Sequence, residues 1–178
     1  MAVDPLGSMS LVKERAGITL ADCPTWRTLT ATATTAAAKA RIHLDGIPPP
    51  ANGVKYTLEE AMAYRPCATI WLDPHGGYRC TRDSVNGFRE SGRLYVELWR
   101  TIADPPKSGP DSDVDREWSN IVGAIVDELW ERNGRSGEGG QYLDFWKSEV
   151  WEPRVSPPES ALTQGPWQVC TLALDFGP

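Results

Sequence analysis

The residues from Asp111 to Asn133, DSDVDREWSNIVGAIVDELWERN, constrain the fold more than any other stretch. Val114, Trp118, Ile121, Val122, Ile125 and Leu129 recur at steps of three and four, which places them on one side of a 3.6-residue helix. Asp115, Glu117, Asp127 and Glu131 mostly take other faces. Asp111 or Ser112 suits the N-cap, Asp113 and Asp115 suit the positive end of the dipole, and Gly134 suits the exit. A helix with one broad apolar stripe must lie on something apolar. The expected partner is a β-sheet built from the strands on either side of it.

Several segments read as those strands. Arg93–Ile102, RLYVELWRTI, puts Leu94, Val96, Leu98 and Arg100 on one face and Tyr95, Glu97, Trp99 and Thr101 on the other. One face should meet the helix, and the other, rich in amphipathic aromatics, should meet water or a partner. Pro166–Phe176 closes the chain as a strand with Cys170, Leu172, Leu174 and Phe176 on one face. Ala40–Leu44 and Cys67–Leu72 are shorter strands, and Tyr78–Arg82 is expected to return on Cys67–Leu72 as a hairpin around Asp73–Gly77. Tyr142–Glu152 reads mostly as a strand.

The remaining segments are helical or open. Leu20–Lys39 begins as a helix, with Asp22 as N-cap and Pro24 in the first turn, and its Thr-Ala run invites an interruption. Ser10–Arg15 reads as a short helix or a loose arm. Thr57-Leu58-Glu59-Glu60 fits a capping box that opens a short helix before Pro66. The stretches 47–56, 103–111, 134–141 and 153–165 read as long Pro/Gly loops that order on assembly. This order describes an α+β fold: a mostly antiparallel or mixed β-sheet with two main helices packed on one face. Residues 1–8 read as an expression-tag remnant and residues 9–178 as a single α+β domain.

Charge and composition exclude several functions. A net charge of −6 argues against a surface that grips nucleic acid or an anionic membrane. No apolar run approaches the roughly 18 residues a membrane span needs. The N-terminus lacks a secretory pattern, so synthesis in a cytoplasm is expected. Cys23, Cys67, Cys80 and Cys170 form no C-x-x-C pair and read as reduced, mostly buried thiols.

Candidate chemistry is sparse. His43 and His75 with Asp45 and Asp73 supply metal-ligand types, but the spacing matches no metal signature, and a surface or structural role is favoured. Asp73–Tyr78, DPHGGY, lacks the P-loop lysine and a following helix, so it reads as a turn instead of a phosphate cradle. Cys67 or Cys80 as a nucleophile would need an activating base that only the hairpin would bring close. No catalytic, cofactor-binding or metal-ligating residue is assigned, and no enzyme activity is expected. Trp99, Trp118, Trp130, Trp146, Trp151 and Trp167 are too many for one small core, so some are expected to anchor a partner and others to pack under loops.

Taken in order, the N-terminal helix, ARIHLDGIPPP, CATIWLD with its hairpin, SGRLYVELWR, the NIVGAIVDELWER helix and QVCTLALDFG resemble the minor tail proteins of long-tailed phages and prophages. The likeness is particularly to the tail-terminator group, and it covers most of residues 18–178. The resemblance implies an α/β fold with a mixed sheet. It also implies a virion structural protein that forms a homo-oligomeric ring, commonly a hexamer. Such a ring caps the tail tube and joins it to the head connector, without specific nucleic-acid or membrane binding. Another virion role, in the neck or in head completion, is the nearest alternative. A small-ligand-binding or hydrolytic domain is a more distant one.

Overall fold

The computed structural model describes residues 5–50, 53, 57–73, 78–83, 87–101, 113–133, 135–137, 140–143, 145–156 and 167–177. The chain opens with three helices: α1 (Pro5–Ala21), α2 (Pro24–Leu29) and α3 (Thr35–Lys39). Strand β1 (Ile42–Leu44), helix α4 (Leu58–Ala63) and strands β2 (Cys67–Leu72), β3 (Arg79–Asp83) and β4 (Gly87–Thr101) follow. Helix α5 (Asp113–Glu131) leads through the two-residue strands β5 (Ser136–Gly137) and β6 (Gly140–Gln141) to β7 (Phe145–Ser156) and β8 (Trp167–Phe176).

The main sheet has the order β1-β2-β4-β8-β7. Only the β1–β2 pairing is parallel among these; β2–β4, β4–β8 and β7–β8 are antiparallel. The fold is therefore α+β with a mixed, mostly antiparallel sheet. Helix α1 lies over β1 and β2, α5 lies toward β7, and the two helices touch each other. The core fills the space between. Trp118, Val122, Ile125 and Leu129 from α5 and Val12, Ala16 and Leu20 from α1 join Ile70, Leu94, Val96, Leu98, Leu172 and Leu174 from the sheet. The period of 3.6 on the helices and of 2 on the strands selects these residues. Asp111, Ser112 and Gly134, the expected ends of the long helix, lie outside the described residues.

In the N-terminal third, the stretch 20–39 is interrupted within its Thr-Ala run as expected, between Leu29 and Thr35, and it also breaks earlier, after Ala21. Helix α1 begins at Pro5, inside the stretch set aside as a tag remnant, and covers Ser10–Arg15 fully. The chain then breaks twice. The Thr28 and Thr30 hydroxyls donate back to the Pro24 and Trp26 carbonyls at 3.0 and 2.9 Å, Ala31 adopts φ 51°, and helix α2 ends. Thr34 then caps α3 by accepting the Ala37 N–H at 3.2 Å. Asp22 is not the N-cap of α2. Cys23 holds that position without a side-chain bond. Glu128 of α5 serves instead, accepting from the Thr25 N–H at 3.0 Å and its hydroxyl at 2.6 Å.

The expected β2–β3 hairpin is also replaced. Strand β2 is buried from Cys67 to Ile70, with β1 on one edge and β4 on the other, so no edge remains for β3. Strand β3 pairs instead with residues 87–91 of β4, which starts earlier than its apolar alternation suggests. The expected turn at 74–77 lies outside the described residues. Residues 153–156, expected in a loop, belong to β7.

The short helix α4 forms as expected. Glu60 accepts the Thr57 N–H at 2.8 Å, and the Glu60 N–H donates to the Thr57 hydroxyl at 3.1 Å. This reciprocal pair satisfies two donors at the helix start. Thr57→Ala is expected to cost about 1 kcal/mol in chemical denaturation. An unchanged midpoint would show that α4 does not depend on its cap.

Candidate interaction surface

The helices seal one face of the sheet, and the other face is uneven. Register places His43, Thr69, Glu97 and Thr171 in one row across β1, β2, β4 and β8. Trp71, Tyr95 and Ala173 form the next row, and Cys67, Trp99 and Val169 the row on the other side. Trp71, Tyr95, Glu97 and Trp99 are all half-buried. Trp71 and Tyr95 lie 5.9 Å apart with tilted rings. The chain after α4 reaches this face: Tyr64 meets His43 edge-on at 5.9 Å, and the Arg65 guanidinium lies 4.9 Å over the Trp99 ring.

Glu97 is the polar centre. It accepts from the Trp99 indole N–H at 2.9 Å and from the Thr69 hydroxyl at 3.4 Å. Burial raises its pKa, while these bonds and Arg65 pull it back. A carboxyl raised above its unfolded value favours folding at low pH, and that contribution fades as pH rises through the folded pKa. Glu97→Gln keeps an acceptor for Trp99 and removes the charge. It should raise the melting temperature at neutral pH and leave it nearly unchanged below pH 4; the opposite order would show that the charge stabilises the fold. At the rim, Arg93 clamps Asp175 with two bonds of 2.6 and 3.0 Å, and the Tyr95 hydroxyl donates to Asp73 at 3.2 Å.

The residues singled out for chemistry do not converge. Burial, then Arg41, lowers the His43 pKa. Asp45 pairs with Lys13. His75 and the side chain of Cys80 lie outside the described residues. Burial pushes Cys67 up to about 11 and Cys23 and Cys170 up to about 12, which leaves these thiols unreactive near neutrality. Among the described residues, no group of three His, Cys, Asp or Glu side chains is placed to hold a metal ion. No described helix is long and apolar enough to cross a membrane.

The tryptophans divide by position. Trp26 and Trp118 are core, Trp71 and Trp99 edge the open face, and Trp130 is exposed. The side chains of Trp146, Trp151 and Trp167 lie outside the description. Trp130 was readable: it follows Leu129 by one residue, a turn of about 100° off the buried stripe.

A second polar cluster sits at the helix ends. The Asp22 carboxylate accepts from the Tyr142 hydroxyl at 2.6 Å on one oxygen and from the Thr35 hydroxyl on the other. Arg132 donates to the Asp22 and Glu128 carbonyls at 2.9 and 2.8 Å. The Thr19 hydroxyl accepts the Leu143 N–H at 2.9 Å. Gly137 is required here, because a Cβ would overlap the Tyr142 hydroxyl and the Asp22 carboxylate. These long-range bonds left no local sequence signal. The cluster joins the ends of α1, α2, α3 and α5 to the chain before β7, and its bonding is that of a clamp.

No protein-family model and no curated protein matches the chain. Among solved structures, 21 chains match. One belongs to the virion of a native gene transfer agent particle, 13% identical with a TM-score of 0.41 over 93% of this chain and 92% of that one. A likeness of that size carries no weight on function.

Proposed function

We propose that the chain is a virion structural protein of a tailed phage or prophage, a tail-terminator-like subunit that caps the tail tube and joins it to the head connector. The observation that carries this reading is the unequal sheet. One face is sealed by α1 and α5, and the other presents Trp71, Tyr95, Glu97 and Trp99 half-buried on a rigid platform. Amphipathic aromatics in such a position suit a protein contact.

The mechanism is geometric and involves no reaction. Copies associate by heterologous contacts that close by rotation into a ring. One side of the ring matches the last ring of tube subunits, and the other offers no site for another. The net charge of −6 suits a lumen through which DNA passes without adhering. The protein is made in the host cytoplasm and ends in the virion.

Native mass measurement and electron microscopy with purified tube protein test the proposal. A closed ring that arrests tube growth is the expected result. A chain that stays monomeric and leaves tube length unchanged would sink it. A ring that binds the head connector but not the tube would assign the protein to the neck or to head completion.

A further inference from the structure

Helix α5 turns a second stripe outward. Arg116, Asn120, Gly123, Asp127 and Trp130 are all exposed. They recur at steps of four and three, so at ~100° per residue they fall within a band of about 80° on the helix. That band faces away from the buried Trp118, Val122, Ile125 and Leu129.

Two members of the stripe are unusual on a solvated helix face. Trp130 is the most exposed large apolar side chain among the described residues, at 54%, although it meets Phe145 edge-on at 6.0 Å. Gly123 lies well inside α5, where glycine costs stability relative to alanine. Among the described residues nothing lies within 4 Å of an added Cβ there, so no contact inside the chain calls for glycine. A bare backbone at an exposed point suits the close approach of a second backbone.

The stripe is complementary to itself when reversed. A two-fold axis through Gly123 sets a second α5 antiparallel across the first. Arg116 and Trp130 then stand at equal heights, about 10.5 Å on either side of the axis, so each guanidinium meets the partner's indole. The partner's Asp127 lies about 4.5 Å along the helix from Arg116, within reach of the same guanidinium, and about 1.5 Å from the level of Asn120. Arg116 also interacts within its own chain, and exposed interactions of that kind exchange at little cost.

We propose that two copies of this chain pair through α5, antiparallel, with Gly123 at the crossing and Arg116 of each copy on Trp130 and Asp127 of the other. The occupant is a second copy because every member of the stripe finds its complement in the same stripe. The contact is isologous and goes beyond the ring reading, whose contacts are heterologous. One helix pair covers less than the roughly 800 Å² per partner of a standard stable interface, so the pairing depends on concentration.

Sedimentation velocity on the full chain, across protein and salt concentrations, tests it. Arg116→Glu and Asp127→Lys should each weaken pairing by about tenfold or more, and both suit the helix dipole, so the helix itself is not weakened. Combined in one chain they should pair more tightly than either alone. The two positions lie about 16 Å apart along one helix, so such a restoration can only arise between copies. Added salt should weaken the wild type. Gly123→Gln should weaken pairing while the melting temperature holds or rises, a split that a purely structural role would not produce. If charge reversal leaves pairing unchanged, or weakens it without restoration, the contact is wrong. If it abolishes binding to tube protein but not self-association, the stripe belongs to the tube subunit and the proposal fails. A wild-type chain that never pairs overturns it as well. Ring closure and tube capping are read separately on the same variants, and both should persist.

Discussion

Trp118→Ala is expected to lower the unfolding free energy by about 3–5 kcal/mol. The side chain is 1% exposed and is among the largest fully buried groups in the molecule. It fills the core between α5 and the sheet, where interiors are packed too tightly to collapse around a lost indole. Removing it also strips a neighbour. The Arg100 guanidinium lies 5.2 Å over the ring while bonding Gln168 at 2.6 Å and Glu117 at 3.0 Å. Without the ring, a planar cation is left facing a hole. Against a total stability of about 5–15 kcal/mol, such a loss leaves a marginal fold. Trp118→Phe should cost far less. The buried Trp118 indole N–H has no hydrogen-bond partner among the described residues, so phenylalanine gives up area but also removes an unsatisfied donor. Urea denaturation of both variants checks this. Equal losses would mean that the N–H is satisfied, and a loss under about 1 kcal/mol for alanine would mean that α5 does not hold the core.

The parts of this fold that were legible in sequence are those set by neighbours along the chain. The stripe of Trp118, Val122, Ile125 and Leu129 follows from helical period, and all four are buried. The alternation of Cys170, Leu172, Leu174 and Phe176 follows from strand period, and these are buried too. Thr57 and Glu60 are three residues apart, so their reciprocal cap needs nothing distant. Features set by distant partners were illegible. Asp22 beside Pro24 has the local look of a cap, but Glu128 reaches α2 from 103 residues away and displaces it. Strand β3 follows β2 closely, yet it pairs with β4 because β1 and β4 already occupy the edges of β2. On the open face, Tyr95, Glu97 and Trp99 were expected to share a side. Their neighbours Thr69 and His43 depend on register, which one strand alone does not reveal.

The clamp at Asp22 carries the second large effect. Asp22→Ala is expected to cost about 2–4 kcal/mol, because hydrogen bonds to a charged acceptor are strong and both donors are left buried. The Tyr142 and Thr35 hydroxyls donate to different oxygens of one carboxylate, so a side chain with a single acceptor cannot serve both in the same way. Asparagine keeps one acceptor and forces the other hydroxyl to turn and accept, so Asp22→Asn should fall between alanine and wild type. Alkaline titration gives a separate readout. Burial, followed by the bond to Asp22 and its charge, pushes the Tyr142 phenol up to about 12 from an ordinary value of 10. Its contribution to stability is therefore complete below pH 10 and is lost as pH rises through 12. Tyr142→Phe removes that component and should flatten the decline of melting temperature across this window. In the Asp22→Ala background the same change should have much less effect, since the partner that helps to hold the proton on the phenol is gone. If the two substitutions add without coupling, Asp22 and Tyr142 act independently, and the junction would not hold the helix ends to the chain before β7 as a unit.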